Sequence, residues 1–301
     1  MSSCALTDHG NLSGAIHFYK AMKKADLKPI LGMEAYVTKD VDDLENPQKT
    51  RDNRHLVLLA MNKIGFKNLI WLNNRAHLHN FYYNPRVWIG HLKDHSEGLI
   101  ATTACLAGVF SKKAVFKEEV LEQPGSIFNI EEKTFDDPYN TGRDWVKELV
   151  SYFPGRLYLE VQDHPNWEQK AYNQWVKHQS AILELPMVLT TDAHYLKEED
   201  KDVHDLLMAQ QFKKTLEVYL AEDRFNVKNF IREPDDMYKI AEEAGFTEAF
   251  WNTRNIAEQC NLELTLGKFQ TPDFDIIKCA DYSRYIEWIK NNPRQAQIQS
   301  V

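Results

Sequence analysis

The stretch CALTDHGNL at residues 4–12 decides how this sequence is interpreted. Its apolar beginning predicts a short buried strand that breaks at Gly10, where a helix follows. Side chains at the carboxyl end of such a strand are held rigidly and point beyond the sheet. His9 and Asp8 stand at that end, and both are able to bind a metal ion or act in catalysis. The structural alternative is that Asp8 or Asn11 caps the helix while His9 packs beside it.

The residues that follow predict a strand–helix–strand unit. Residues 12–25 carry apolar side chains at helical spacing, and residues 28–37 form an apolar run typical of a strand. Two strands joined by a helix pair in parallel through a right-handed crossover. Glu34 lies inside the second strand, where a carboxylate is costly to bury unless it is paired or bound to a metal. The alternative is an edge strand on which Glu34 faces water.

Composition indicates a cytoplasmic globular protein. The chain has 301 residues, of which 43% are hydrophobic and 27% charged, enough for one large domain or two small ones. No apolar run is long enough to span a bilayer and no signal peptide is recognisable, so we expect no membrane partner. The four cysteines form no CxxC pair and indicate reduced thiols. A net charge of −8 argues mildly against unaided binding to DNA.

Further elements follow the same order along the chain. Strands are predicted at residues 55–60, 98–103, 157–161 and 187–190, with helices between them, an insertion loop at 118–140 and a helical region from about 197. The aromatic run Phe81-Tyr82-Tyr83 indicates packing in preference to base stacking.

Residues able to bind metals recur at the C-terminal ends of the predicted apolar strands. In folds with parallel strands, the carboxyl ends of the strands open at one face, so these side chains should converge. Histidine, thiolate and carboxylate together favour zinc, manganese or iron ions, and two such ions suit phosphoester hydrolysis. For the cysteine the alternative is a small buried apolar residue. The candidates are His9, Glu34, His55, Cys105, Asp192 and His194.

Four long motifs resemble one known family. They are ALTDHGNLSGAIHFYKAMKKADLKPILGMEAYV, RHLVLLAMNKIGFKNLIWL, HSEGLIATTACLAGVF and LTTDAHYLKEEDKDVHDLLM. They resemble the PHP (polymerase and histidinol phosphatase) domain, more narrowly that of bacterial DNA polymerase III alpha subunits, over most of residues 3–265. The resemblance implies an α/β fold, a distorted seven-stranded β/α barrel, with a metal cluster at the strand ends. The six candidates fall on its ligand positions, with Glu34 and Asp192 as the catalytic carboxylates. Asp8 falls on a neighbouring aspartate that supports the ligands.

Two departures from the family shape the expectations. The family opens with a strand carrying a His-x-His pair, which this sequence lacks, so we expect a barrel without its first strand, an incomplete metal cluster and a fragile fold. Glu34, His55 and Cys105 are expected to form one nearly intact site. The family's polymerase palm is not recognisable either. The expected domains are a PHP domain at 1–265, helical from about 197, and a linker or tail at 266–301 that begins an absent polymerase region.

The resemblance implies the PHP portion of a replicative DNA polymerase. The parent protein would be a DNA-directed DNA polymerase, a nucleotidyltransferase that meets DNA, a proofreading exonuclease subunit and other replisome components. This chain would itself be at most an impaired, metal-dependent phosphodiesterase of the 3'–5' exonuclease type, so its status as an enzyme stays open. Two alternatives remain: a non-catalytic scaffold that docks the proofreading subunit, and a stand-alone phosphatase of the histidinol-phosphate type.

Overall fold

The computed structural model describes residues 1–39, 53–110, 138–221 and 229–268, together with the short helical pieces 286–287 and 290–291. The chain divides into two compact units, Met1–Glu263 and Leu264–Val301. Most of the predicted insertion loop lies outside the described residues, and its last residues belong to a helix that begins at Pro138. Among the described residues no helix has both the length and the apolar character needed to cross a bilayer.

The first unit is built on a mixed β-sheet. In the described ranges the sheet has eight strands, in the order β4-β5-β2-β3-β6-β7-β8, with β1 also paired to β2. Their bounds are β1 Ser3–Leu6, β2 Lys28–Thr38, β3 Arg54–Ala60, β4 Phe81–Tyr82, β5 Asn84–Trp88, β6 Leu99–Thr102, β7 Leu157–Gln162 and β8 Met187–Thr190.

Helices connect most of these strands or follow them. Their bounds are α1 Ala15–Lys24, α2 Lys63–Leu78, α3 Ile89–His95, α4 Pro138–Tyr152, α5 Trp167–Leu183, α6 Lys201–Gln211, α7 Leu216–Ala221, α8 Pro234–Ala244 and α9 Thr247–Gln259. Local chemistry fixes several ends. Asn62 caps α2 by accepting hydrogen bonds from two backbone amides of its first turn. Pro234 opens α8, and Gly245 ends it at a φ of 74°.

Strand β2 is the axis of the sheet. One of its edges pairs in parallel with β1 along Lys28–Leu31 and again in parallel with β5 along Tyr36–Thr38. The predicted parallel β1-α1-β2 unit is therefore confirmed, and with it the α/β class. Glu34 is only 6% exposed on this strand, so the alternative in which it faces water is wrong.

Strand β3 runs against the expectation that every strand points the same way. It pairs antiparallel with both β2 and β6. A buried strand has the same apolar pattern in either direction, so its sequence does not encode its orientation. The prediction that His55 lies at the C-terminal end of its strand is wrong, because it is the second residue of β3. The antiparallel direction of β3 nevertheless places His55 opposite Tyr36 on β2.

The core lies between this sheet and the helices. One cluster joins Ile30, Leu59, Ile100, Tyr158 and Val188 of successive strands to Ile256 and Cys260 in and after α9. The region after residue 197 thus contributes to the core that supports the sheet, because α9 packs closely on β8.

The β4–β5 hairpin contradicts the expectation that its aromatic residues pack. Phe81 is 54% exposed and Tyr83 is 62% exposed. Tyr82 is half-buried, with the guanidinium of Arg86 at 5.5 Å from its ring centroid. Tyr83 is the single residue between the two strands and adopts a φ of 61°, a turn conformation that no apolar pattern in the sequence signals.

Candidate metal centre

Glu34 is the focus of the candidate site. Its Oε1 lies 2.7 Å from His55 Nδ1, and its Oε2 lies 3.8 Å from His9 Nδ1. One potential ligand atom from each of the three residues lies within 4.8 Å of the other two. Two imidazoles thus flank one buried carboxylate.

Backbone pairing holds these three residues in place. Glu34 N donates to Asp8 O at 3.1 Å, and Gly10 N donates to Glu34 O at 2.9 Å, which brackets His9 against β2. His55 N donates to the carbonyl of Ala107 at 3.0 Å. The side chains therefore project from main chain that is already fixed by hydrogen bonds. Asp8 contributes its backbone carbonyl oxygen to this arrangement, and a supporting role for its side chain stays a prediction.

Cys105 adds a thiol to the same site. Its Sγ lies 3.5 Å from His55 Nδ1 and 3.9 Å from Glu34 Oε1. Burial, together with the negative charges of Glu34 and Asp192, raises the pKa of the thiol well above its ordinary value. The alternative of a small buried residue stays open, because burial favours the neutral thiol.

Asp192 and His194 follow β8 and meet through a turn. Asp192 has a φ of 48°, so the chain turns at this residue and does not continue as an extended strand. His194 Nδ1 instead lies 2.7 Å from Asp192 O and 3.8 Å from Asp192 Oδ1. The His194 ring centroid lies 6.1 Å from that of His9. The turn thereby brings both residues to the rim around Glu34.

The electrostatics of the site reflect crowding of buried charge. Burial acts to raise the pKa of Glu34, but the hydrogen bond from His55 and the charge of His9 outweigh it and hold the pKa below its ordinary value. Burial and the nearby Glu34 raise the pKa of Asp192 to about 7. Burial also lowers the pKa of His9, despite the attraction of Glu34.

Asn229 is a supporting residue that the sequence analysis missed. Its side-chain Nδ2 donates to Asp192 O at 2.9 Å. Its backbone carbonyl oxygen accepts from His194 N at 2.7 Å. It therefore fixes the turn that presents both candidate ligands. Asn229 lies 37 residues after Asp192 in a polar stretch, so no strand pattern could have indicated it.

Glu160 is a second buried carboxylate that the sequence analysis did not connect with the site. Its carboxylate accepts hydrogen bonds from the Thr102 hydroxyl, from Thr190 Oγ1 at 2.6 Å and from Gln162 Nε2 at 2.9 Å. Burial raises its pKa, and these hydrogen bonds offset only part of that effect. Its hydrogen-bond donors are two hydroxyls and an amide, whereas Glu34 faces imidazole rings.

His164 was also missed and lies beyond the end of β7. It is 6% exposed, and burial lowers its pKa to about 4 in spite of the neighbouring Asp163. Arg232 forms an ion pair with Asp163 at 3.0 Å and, like His194, adds positive charge near His164. The guanidinium of Arg232 is therefore the cationic group next to His164.

The donor set fits a divalent cation. Buried carboxylates that lie near one another repel unless a proton or a cation neutralises them. Imidazole nitrogens and a thiol next to Glu34 are ligands that zinc and other transition metals prefer in proteins. The structure thus brings all six predicted residues to one rim and offers a His–Glu group able to hold a metal ion.

The sequence profile of the PHP domain matches residues 1–164. The chain belongs to the PHP domain family. Among curated proteins it is similar to DNA polymerase III subunit alpha of Helicobacter pylori, with 34% identity over 271 residues, 88% of this chain and 21% of that protein. The same subunit of Thermus aquaticus is 34% identical over 289 residues, 94% of this chain and 22% of that protein. In Deinococcus radiodurans the identity is 34% over 283 residues, which cover 90% of this chain and 20% of that protein.

The chain spans about a fifth of the length of these relatives. The PHP match ends at residue 164 and includes His9, Glu34, His55 and Cys105. The similarity to the polymerase subunits extends over about nine-tenths of the chain. This PHP domain therefore corresponds to one portion of a much longer type of protein.

Proposed function

We propose that this chain is the PHP portion of a replicative DNA polymerase alpha subunit and that its own chemistry is metal-dependent phosphodiester hydrolysis of the 3'–5' exonuclease type. The observation that carries the proposal is the buried Glu34 carboxylate, 2.7 Å from His55 and close to His9 and Cys105. DNA-templated synthesis, contact with DNA and other replisome components, and a cytoplasmic location are proposed for the parent protein on the strength of its relatives.

The residues have distinct proposed roles. Glu34 is the bridging carboxylate, and it shares the catalytic role with Asp192. The terminal ligands are His9, His55, Cys105, Asp192 and His194. Zinc, manganese or iron ions bound there would supply an activated water and neutralise charge on a phosphate. The grouping of His9, Glu34 and His55 supports one ion site around Glu34. We propose that the set for a second ion is incomplete and that the activity is therefore weak.

Metal content and hydrolysis test this proposal. The purified chain is loaded with Zn²⁺ or Mn²⁺, desalted and measured by elemental analysis, and then assayed on bis(p-nitrophenyl) phosphate. We expect at least about one tightly bound ion per chain and slow, chelator-sensitive hydrolysis. Less than one tightly bound ion per chain, with no hydrolysis above background, would overturn the proposed catalytic role.

A second candidate function is a scaffold, and a specific surface favours it. Large apolar side chains are exposed on and around α6 and α7, a feature that marks interaction sites in soluble proteins. The most exposed are Leu196 at 69%, Val203 at 62%, Leu206 at 57%, Leu207 at 58% and Leu220 at 51%. We propose that this apolar face packs against another part of the polymerase assembly, with the proofreading exonuclease subunit as the candidate partner.

Calorimetry with a purified proofreading subunit separates the two candidates. If the apolar face is the docking site, Leu206→Asp combined with Leu207→Asp abolishes binding and leaves the metal content unchanged. Ile70→Asp is the matched control, because Ile70 is a 40% exposed apolar residue on α2. Equal binding by both variants contradicts the docking role.

A further inference from the structure

The β4–β5 hairpin presents two aromatic rings to solvent. We define Phe81 and Tyr83 as the aromatic tip. They are 54% and 62% exposed, whereas the paired position Pro85 and the following Arg86 are covered by the protein to a greater degree. Exposed aromatic rings on a fixed support suit stacking on another planar group.

The support of the aromatic tip is rigid. Arg86 is fully buried, its Nη2 donates to Asn80 Oδ1 at 3.0 Å, and its guanidinium lies 5.5 Å from the Tyr82 ring. Strand β5 also pairs with β2 from Tyr36 to Thr38. The backbone that carries the two rings is therefore held at a defined place beside the sheet, which lowers the entropy lost when a ligand binds.

Contacts connect the aromatic tip to the candidate metal centre. His77 Nε2 lies 2.9 Å from the carbonyl oxygen of Gly10, and the His77 ring lies 6.2 Å from that of Phe81. A Cβ added at Gly10 would come within 2.7 Å of Pro85 Cγ, so the hairpin packs directly on the residue after His9.

The path from Phe81 through its paired residue Pro85 to Gly10 and His9 limits the distance between the aromatic tip and the candidate metal centre. Consecutive Cα atoms are about 3.8 Å apart and residues paired across strands about 5 Å apart, so Phe81 lies within roughly 15 Å of His9. A stacked strand advances about 3.4 Å per nucleotide, so a few nucleotides span that distance.

Tyr83 provides an independent observation. It adopts a φ of 61°, the left-handed region in which a bulky aromatic residue is rare and glycine is favoured. Its ring contacts that of Tyr82 edge-on at 4.8 Å and is otherwise largely exposed. Strain of this kind is concentrated at binding sites, where it positions a side chain.

We propose that Phe81 and Tyr83 of the aromatic tip each stack on an unpaired base of single-stranded DNA whose phosphodiester lies at the Glu34 site. This inference rests on the proposed hydrolytic function and adds the residues that bind the substrate strand. Aromatic stacking accepts any base, so the grip is indifferent to sequence. Because the chain carries a net charge of −8, we expect stacking to contribute more to affinity than phosphate neutralisation, and the salt dependence to be shallow.

The test measures binding of a fluorescein-labelled ten-nucleotide thymidine strand to the Zn²⁺-loaded chain by fluorescence anisotropy. The variants are Phe81→Ala, Tyr83→Ala and their combination. Loss of one stacked base weakens binding about tenfold, and the double variant weakens it more. Trp251→Ala is the matched control, because Trp251 is a 48% exposed aromatic residue on α9, and it leaves the dissociation constant unchanged.

Tyr83→Gly keeps the test decisive if an alanine variant folds poorly. Glycine accepts the positive φ, so this variant retains the thermal midpoint of the parent while binding falls as in Tyr83→Ala. Equal affinity for the double variant and Trp251→Ala, or no binding by the parent chain, overturns the inference. Metal content is measured separately. A chain that binds metal but does not bind the oligonucleotide therefore contradicts only the binding role proposed for the aromatic tip. A chain that binds the strand through these rings without metal contradicts the hydrolytic function alone.

Discussion

Glu34 and Glu160 are two carboxylates buried in the same sheet, at 6% and 4% exposure, with opposite surroundings. Glu34 faces the imidazoles of His9 and His55 and the Cys105 thiol. Glu160 accepts hydrogen bonds from two hydroxyls and an amide. The pKa of Glu34 lies below its ordinary value, because neighbouring histidines favour the charged form. The pKa of Glu160 lies above it, because neutral donors do not fully offset burial.

The difference separates a carboxylate available for binding from one used for structure. The groups around Glu34 are of the types that bind metals in proteins, so a cation placed among them would gain several bonds at once. The groups around Glu160 are hydrogen-bond donors, which satisfy its oxygens and join β6, β7 and β8. Burial of an acidic residue inside a strand therefore does not identify a metal site until its neighbours are known.

The largest expected effect is on metal affinity. Glu34→Gln removes the charge shared by the proposed ligands, and we expect a loss of more than about 100-fold in Zn²⁺ affinity, beyond the 10–100-fold typical of residues that only support ligands. Competition with a chromophoric chelator measures this. Glu160→Gln is the matched control and should change the affinity several-fold at most, so equal losses would erase the distinction.

The next effect is on stability, where substitution of Glu160 should cost more than substitution of Glu34. Glu160→Ala leaves the hydroxyls of Thr102 and Thr190 and the amide of Gln162 without their acceptor. We expect a loss of about 2–4 kcal/mol in the free energy of unfolding of the metal-free chain. Urea denaturation measures it. Glu34→Gln should cost less in that assay, because its amide oxygen still accepts from His55; a larger cost for Glu34→Gln contradicts the comparison.

A smaller effect is expected at Asn229, which holds the turn carrying Asp192 and His194. Asn229→Ala should weaken metal binding by about 10–100-fold without removing a ligand. Isothermal titration calorimetry with Zn²⁺ provides the value. Asn68→Ala is a suitable control, because Asn68 also donates to a backbone carbonyl, that of Glu97, but from α2. Identical affinities for the two variants would show that the turn does not need its amide.

The smallest effect concerns pH. The pKa of Glu160 is raised in the folded chain above its ordinary value of 4.5, so the folded state holds this proton more tightly than the unfolded state. The corresponding stability is fully present below pH 4.5 and is lost as pH rises through the folded pKa. Urea midpoints measured from pH 4.5 to 7.5 should therefore fall less steeply in Glu160→Gln, which has no proton to lose, than in the parent. Parallel slopes would contradict this assignment.

The sequence was informative wherever pattern and position coincide. The segments around β1, β2 and β8 are short, nearly continuous apolar runs bounded by polar residues, so their strands could be predicted within about a residue. His9, Glu34 and Cys105 stand in or just after such runs, which is why they could be recognised as ligand-type residues. The division at residues 1–265 and 266–301 remains a prediction about domains, although the contacts divide the chain at Glu263.

Other features depend on contacts that no local pattern encodes. The direction of β3 is set by its pairing with β2 and β6, not by its residues. Asn229 reaches Asp192 across a long separation, and Glu160 is explained only by the hydroxyls of neighbouring strands. The exposure of Phe81 and Tyr83 follows from a one-residue turn at Tyr83, where no glycine or asparagine in the sequence indicates a turn of positive φ.

Strand β2 fixes the distance between Glu34 and the β4–β5 hairpin. It carries Glu34 and, two residues later, begins its pairing with β5, so the carboxylate and the hairpin are spaced by one continuous backbone. A fixed distance between Glu34 and the aromatic tip sets a minimum length for a DNA strand that contacts both. Oligonucleotides shorter than the gap engage one end only, whereas longer ones engage both. Affinity should therefore rise abruptly at a threshold chain length and change little beyond it.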